Sequence, residues 1–159
     1  MNLVVDRDVA LMSGIDILRA ILAGHLPHPS MAKTLGFSLV AVTAGMAKFE
    51  CSIGSHLLNP FGTVHGGVAL SLIDSAAGCA LHSLLPAGTG YTSVETKVNY
   101  TRPLRRDSGV VTAIGKVLSH GRRIATAEAK LRTADGELVA HGTSTILLLT
   151  DVDWSIAGR

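Results

Sequence analysis

Apolar positions along the chain follow two periods, arranged in blocks. Residues 8–23 place Leu11, Ile15, Leu18 and Leu22 at helical spacing, with Asp16 and Arg19 off the stripe. That spacing predicts an amphipathic helix. Two prolines, Pro27 and Pro29, then break it. Residues 36–42 read as a strand, and residues 48–53 alternate strictly as a half-buried one, with Thr43-Ala44-Gly45 as the turn between them. Residues 59–63 form a loop of turn formers. Residues 66–85 are apolar on nearly every side, as a buried helix is, and end at Pro86. Beyond them the period is two again, over 92–101, 110–118, 123–132 and 138–149. In the first of these strands Val94, Thr96, Val98 and Tyr100 share a face; in the third, Ile124, Thr126, Glu128, Lys130 and Arg132 oppose Ala125, Ala127, Ala129 and Leu131. Asp135-Gly136 is a hairpin signal before the last.

The order is helix, two strands, a long apolar helix, then four strands expected as a meander. Strands that do not alternate with helices imply an α+β fold with an antiparallel sheet. An apolar helix needs cover on most sides, and a curved sheet wrapped around it supplies that. The division expected is an N-terminal helical extension over 1–29, one domain over 30–150 and a tail over 151–159. The apolar stretch also has the length of a membrane span, about 20 residues. Asp74 lies near its centre and no Lys or Arg flanks it, so a buried helix is the better reading.

Composition narrows the class. With 47% hydrophobic and 16% charged residues in a chain of 159, disorder is excluded. So little charge suggests surface buried between subunits. A net charge of +2 argues against a dedicated nucleic-acid binder. Cys51 and Cys79 have neither disulfide-framework nor metal-site spacing. No signal peptide is read at the N-terminus, and a reducing cytoplasm is the expected setting.

Between Glu50 and Glu95 the only Asp, Glu, Lys or Arg is Asp74, inside the most apolar segment. A lone carboxylate there needs partners or a purpose, since unpartnered burial is costly. His65-Gly66-Gly67 opens the same helix. Glycines at a helix N-terminus expose backbone N–H groups at the positive end of the dipole, where they can polarise a carbonyl. Asp74 is nine residues past His65, about two and a half turns. That is too far to share one site easily with its own Gly66, whereas two copies about a dimer axis can bring the two together. Residues 97–132 hold nine Lys or Arg against Asp107 and Glu128, a stretch that can attract phosphates. Cys79 reads as core filler rather than nucleophile, because no cation flanks it.

The pattern Asn59-Pro60-x-Gly62-x-x-His65-Gly66-Gly67, with Leu72-x-Asp74-x-Ala76, Thr92-Ser93-Val94-Glu95, Tyr100-x-x-Pro103 and Ser119-His120-Gly121-Arg122, resembles the hotdog-fold acyl-CoA thioesterases of the phenylacetate-pathway (PaaI-like) branch. The resemblance spans about residues 30–150. It implies a hotdog fold working as a homodimer, paired again into a homotetramer, with an acyl-CoA substrate and no separate cofactor or metal. It implies that the Gly66 N–H polarises the thioester carbonyl and that Asp74 is general base or nucleophile. Asn59 and His65 would hold thioester and water, and Ser93, or Thr92 one residue off, would position the water. Gly67 would line the substrate site, and Arg122 and Arg123 would meet the nucleotide of CoA. A hotdog hydratase or dehydratase and a non-catalytic acyl-CoA binder are the rival readings.

Overall fold

The computed structural model describes residues 7–150; the expected tail lies outside them. Three short helices come first: α1 (Arg7–Ala10), α2 (Gly14–Leu22) and α3 (Ser30–Leu35). Strands β1 (Phe37–Thr43) and β2 (Met46–Ser52) follow, then a 3₁₀ turn (Ser55–Leu57) and the helix α4 (Gly66–His82). Strands β3 (Gly90–Tyr100), β4 (Val110–His120), β5 (Ile124–Thr133) and β6 (Leu138–Leu149) complete the described chain. This is the α+β hotdog architecture: one six-stranded antiparallel sheet curled around α4.

Two expectations need correction, and one helix is added. The helix over 8–23 is two pieces, because Ser13 caps a new helix by accepting the Asp16 N–H at 3.4 Å. The buried side of α2 therefore carries Gly14 and Leu18, with Ile21 against the core, while Leu11 is exposed. Residues 30–35, at the edge of the proline-rich break, form α3, closed by Gly36 at φ +74°. Four consecutive strands do not form a meander. The sheet order is β1-β2-β4-β5-β6-β3. One edge of β4 is taken by β2 and the other by β5, so β3 takes the free edge of β6 and becomes an edge strand itself.

Small side chains on the inner face let α4 lie close to the sheet. Ala47, Ala113, Ala127, Ala129 and Ala140 are all buried. A Cβ on Gly115 would collide with the Ala76 carbonyl of α4, and one on Gly142 with the Lys97 carbonyl of β3. Larger residues, Phe37, Leu39, Phe49, Leu131 and Ile146, fill the margins. At the C-terminal end of α4, Gly14 of α2 packs against the His82 carbonyl and donates its N–H to Leu85 O at 3.0 Å. No helix among the described residues is long and apolar enough to cross a membrane.

Candidate active site

The helix α4 runs antiparallel to β3: Gly66 lies by Tyr100, Asp74 by Ser93 and Thr96, and Gly78 by Tyr91. The site residues fall into two groups along this line, eight residues or about 12 Å apart on the helix.

The first group is the helix N-terminus. His65 is the cap, and its Nδ1 accepts the Gly67 N–H at 2.9 Å. Gly67 therefore offers no free N–H, and the Gly66 N–H has no partner among the described residues. A neutral His65 accepting at Nδ1 carries its proton on Nε2, which stays available as a donor. The Tyr100 hydroxyl donates to Gly66 O at 3.0 Å and pins the first turn. Asn59 is turned into its own loop. Its amide donates to Thr63 Oγ1 at 2.8 Å and accepts from Phe61 N–H at 2.9 Å. With Gly62 at φ +79° and the His65 N–H on Leu57 O, the loop sets the entry angle of α4.

The second group centres on Asp74, which is half-buried with no cation paired to it among the described residues. Its Oδ1 accepts from Ser93 Oγ at 2.9 Å and from Thr96 Oγ1 at 2.6 Å. Thr96 spends its one proton on Asp74; the buried Ser144 hydroxyl lies 3.0 Å behind it and donates to Glu95 O at 3.1 Å. Oδ2 takes no bond from the described residues. The carboxylate is thus held by one oxygen and free at the other.

Thr96 is the residue that the sequence pattern hides. Strand β3 carries a bulge at Val94: Ser93 pairs with Ile146 and Glu95 with Thr145, leaving Val94 unmatched and 56% exposed. The extra residue shifts the alternation. Ser93 and Thr96 therefore face the same way, and Val94 does not share the face of Thr96 and Val98 as expected. Thr92 is exposed, with no side-chain bond among the described residues.

Further along α4, burial pushes the Cys79 thiol up to about 12, with nearby Asp74 adding to this and the Tyr91 hydroxyl opposing it. Burial likewise raises Tyr91 well above the phenol range and lowers His82, whose ring lies 5.4 Å from that of Tyr91. Cys79 is therefore a protonated thiol, unfit as a nucleophile. Arg122 and Arg123 are exposed on the β4–β5 turn, whose Arg123 O accepts the Leu148 N–H. That turn lies at the Tyr91 end of β3, away from this chain's Gly66. The nine cations of 97–132 are not one patch: Lys116, Lys130 and Arg132 project from the outer sheet face, Lys97 lies on β3, and the other five sit on separate turns.

Two depressions flank the helix start. One, of about 360 Å³, is lined by Gly66, Ala69, Tyr100, Arg102, Leu104 and Val139. The other, of about 400 Å³, lies by Met31 and Leu35, with Leu57, Leu58 and Val68 around it.

Residues 61–140 match the thioesterase superfamily, and the chain belongs to that family. It is a thioester hydrolase. Human acyl-coenzyme A thioesterase 13 is 27% identical over 130 residues, 80% of this chain and 91% of that protein. A putative thioesterase from Ralstonia eutropha, described as phenylacetic acid degradation-related, superposes with a TM-score of 0.74 at 26% identity, covering 82% of this chain and 98% of that one. A point mutant of the phenylacetic acid degradation protein PaaI from Thermus thermophilus gives 0.68 at 28% identity, covering 75% and 98%.

Proposed function

We propose that two copies of this chain pair through the free edge of β3 and hydrolyse acyl-CoA thioesters at sites shared between them. Each site takes Gly66 and His65 from one copy and Asp74, Ser93 and Thr96 from the other. The observation that carries this is the antiparallel run of α4 along the eleven-residue edge strand β3, whose outer edge is open among the described residues. A two-fold axis across that edge exchanges its Tyr100 end for its Ser93 end. One copy's Gly66 then approaches the other's Asp74, bridging the 12 Å that a single chain leaves between them. Long open edges invite such pairing.

In the reaction the thioester oxygen accepts the Gly66 N–H, at the positive end of α4, with His65 Nε2–H beside it. A water lies against the free Oδ2 of Asp74. It gives that oxygen a proton as its own oxygen bonds to the carbonyl carbon. The tetrahedral intermediate then collapses, the C–S bond breaks, and the CoA thiolate takes up the proton. Direct attack by Oδ2, giving a mixed anhydride, is the second reading that the unbonded oxygen permits. After a single turnover in isotopically labelled water, label in Asp74 marks the second, with water adding at the Asp74 carboxyl carbon of the anhydride; in the first the label enters only the released acid. The chemistry calls on no metal or added cofactor. The acyl group fits the depression by Met31 and Leu35. Unpaired cysteines suit a cytoplasmic setting, and the family resemblance supports pairing of dimers into tetramers.

The test separates the two halves of the site. Proline is tolerated at the first helical position, and His65 at ψ 133° suits a residue before proline. Gly66→Pro therefore deletes the N–H, while Gly66→Ala adds a comparable Cβ near the Tyr100 hydroxyl and keeps it. Mixing and reassembling inactive Asp74→Asn and Gly66→Pro chains should restore about a quarter of wild-type activity, since half the dimers carry one intact site. No recovery on mixing would sink the shared site.

A further inference from the structure

The 360 Å³ depression at Gly66 has a neighbour. The chain segments 63–64 and 104–105 are tied together: Thr63 bridges Arg105, and Val64 N–H donates to Leu104 O at 2.9 Å. On the far side of this tie lies a wider, open depression of about 620 Å³, lined by Phe61, Gly62, Thr63, Arg105, Arg106 and Asp107. Phe61 sits at the tip of the Asn59 loop and is 92% exposed, the most exposed large apolar side chain among the described residues. The Asn59 side chain fixes the loop by bonding the Phe61 N–H, so the ring is presented from a built turn. Arg105 is held by its own turn, its N–H donating to Ser108 Oγ at 2.8 Å. Arg102 is engaged with Glu137 at 3.1 Å. Arg105 and Arg106 make no ion pair among the described residues, although Asp107 is adjacent.

An exposed aromatic ring beside two uncommitted guanidinium groups matches the chemistry of a phosphorylated adenosine. The purine stacks on an aromatic face, and the phosphates take charge-assisted bonds from arginine. We propose that Phe61, Arg105 and Arg106 bind the adenosine phosphate end of the acyl-CoA substrate, with the pantetheine arm lying in the adjoining depression that leads to Gly66. This rests on the thioesterase reading and adds an anchor to it. It differs from the expectation for Arg122 and Arg123, which sit at the other end of β3.

The experiment compares an acyl-CoA with the matching acyl-pantetheine, which has the same thioester and arm but no nucleotide. In the wild type kcat/KM favours the CoA ester. In Arg105→Ala/Arg106→Ala that preference falls about tenfold or more, through KM, as expected for two lost charge-assisted contacts. In Phe61→Ala it falls a few-fold, about what stacking on one ring supplies. An unchanged preference in the double variant overturns the proposal, as does its loss in Arg122→Ala/Arg123→Ala instead. The arginines are exposed, and Arg106→Glu, made alone, should lower the preference further than Arg106→Ala. If the wild type cleaves neither ester, it is the thioesterase reading that fails. Calorimetric titration with CoA itself then decides the subsite: affinity lost in the double variant upholds it, affinity retained refutes it.

Discussion

Along α4, the side turned toward β4 is packed backbone to backbone, whereas the side turned toward β3 carries hydroxyls around one carboxylate. At Gly115 the sheet comes so near that a single Cβ would strike the Ala76 carbonyl. At Asp74 three hydroxyls intervene instead, from Ser93, Thr96 and, behind them, Ser144. The packed side contributes dispersion and excluded water. The hydroxyl side satisfies one oxygen of an anion and leaves the other open, an arrangement with little value for stability. One helix thus separates its two duties by face.

The two faces should respond oppositely to mutation. The largest effect is expected at Asp74: Asp74→Asn should lower kcat by about 10²–10⁴-fold, the worth of a general base, with the thermal midpoint unchanged or raised. Retention of kcat in purified, folded Asp74→Asn would remove the carboxylate from the chemistry. On the packed side, Gly115→Ala should cost about 1–3 kcal/mol by denaturant titration, the usual range for overpacking. An equally stable variant would mean that the helix can back away from the sheet. Thr96→Val keeps the shape but loses the donor to Asp74. A loss of about tenfold in kcat, equivalent to ~1.4 kcal/mol, is expected, with Ser144→Ala milder. Equal losses in KM and none in kcat would assign Thr96 to binding instead.

The smallest effect concerns His82, at the end of the packed side. Burial holds its pKa below the ordinary value. Above about pH 6.5 it is neutral whether folded or not, and nothing is lost. Below that the unfolded chain binds the proton first, so stability falls with pH until the folded pKa is passed. The drop in denaturation midpoint between about pH 7 and pH 5 should therefore be smaller in His82→Phe than in wild type.

The strands with alternating burial were legible because one face meets α4 and the other solvent; β5, with its row of buried alanines, is the clearest case. Helix α4 and Asp74 stood out for one shared reason, a single charge in a long apolar run. The place of β3 was not legible, since local pattern does not say which neighbour a strand will find across forty residues. Thr96 was hidden by the bulge at Val94, which changes the phase without changing the composition. The break before α2 turned on the single cap Ser13. His65-Gly66-Gly67 promised a cluster of free donors, but the histidine consumes one of them, a bond that depends on its rotamer. Asp74 marked one face of α4 in the sequence, but the close approach of the sheet on the other is seen only in the glycine contacts of the fold.

The pairing of β3 with β6 also sets an order in time. Synthesis delivers Ser93 and Thr96 well before Leu138–Leu149, yet β6 is the strand that β3 bonds along its length. Until the last strand emerges, β3 has no sheet to join, and Asp74 lacks a fixed pair of hydroxyls. Closing that long loop is an entropic cost met late, and non-local pairing of this kind slows folding. A nascent chain halted before residue 138 would therefore present β1, β2, β4 and β5 to α4 while its reactive carboxylate stood without its ligands, so catalytic competence waits on the synthesis of β6.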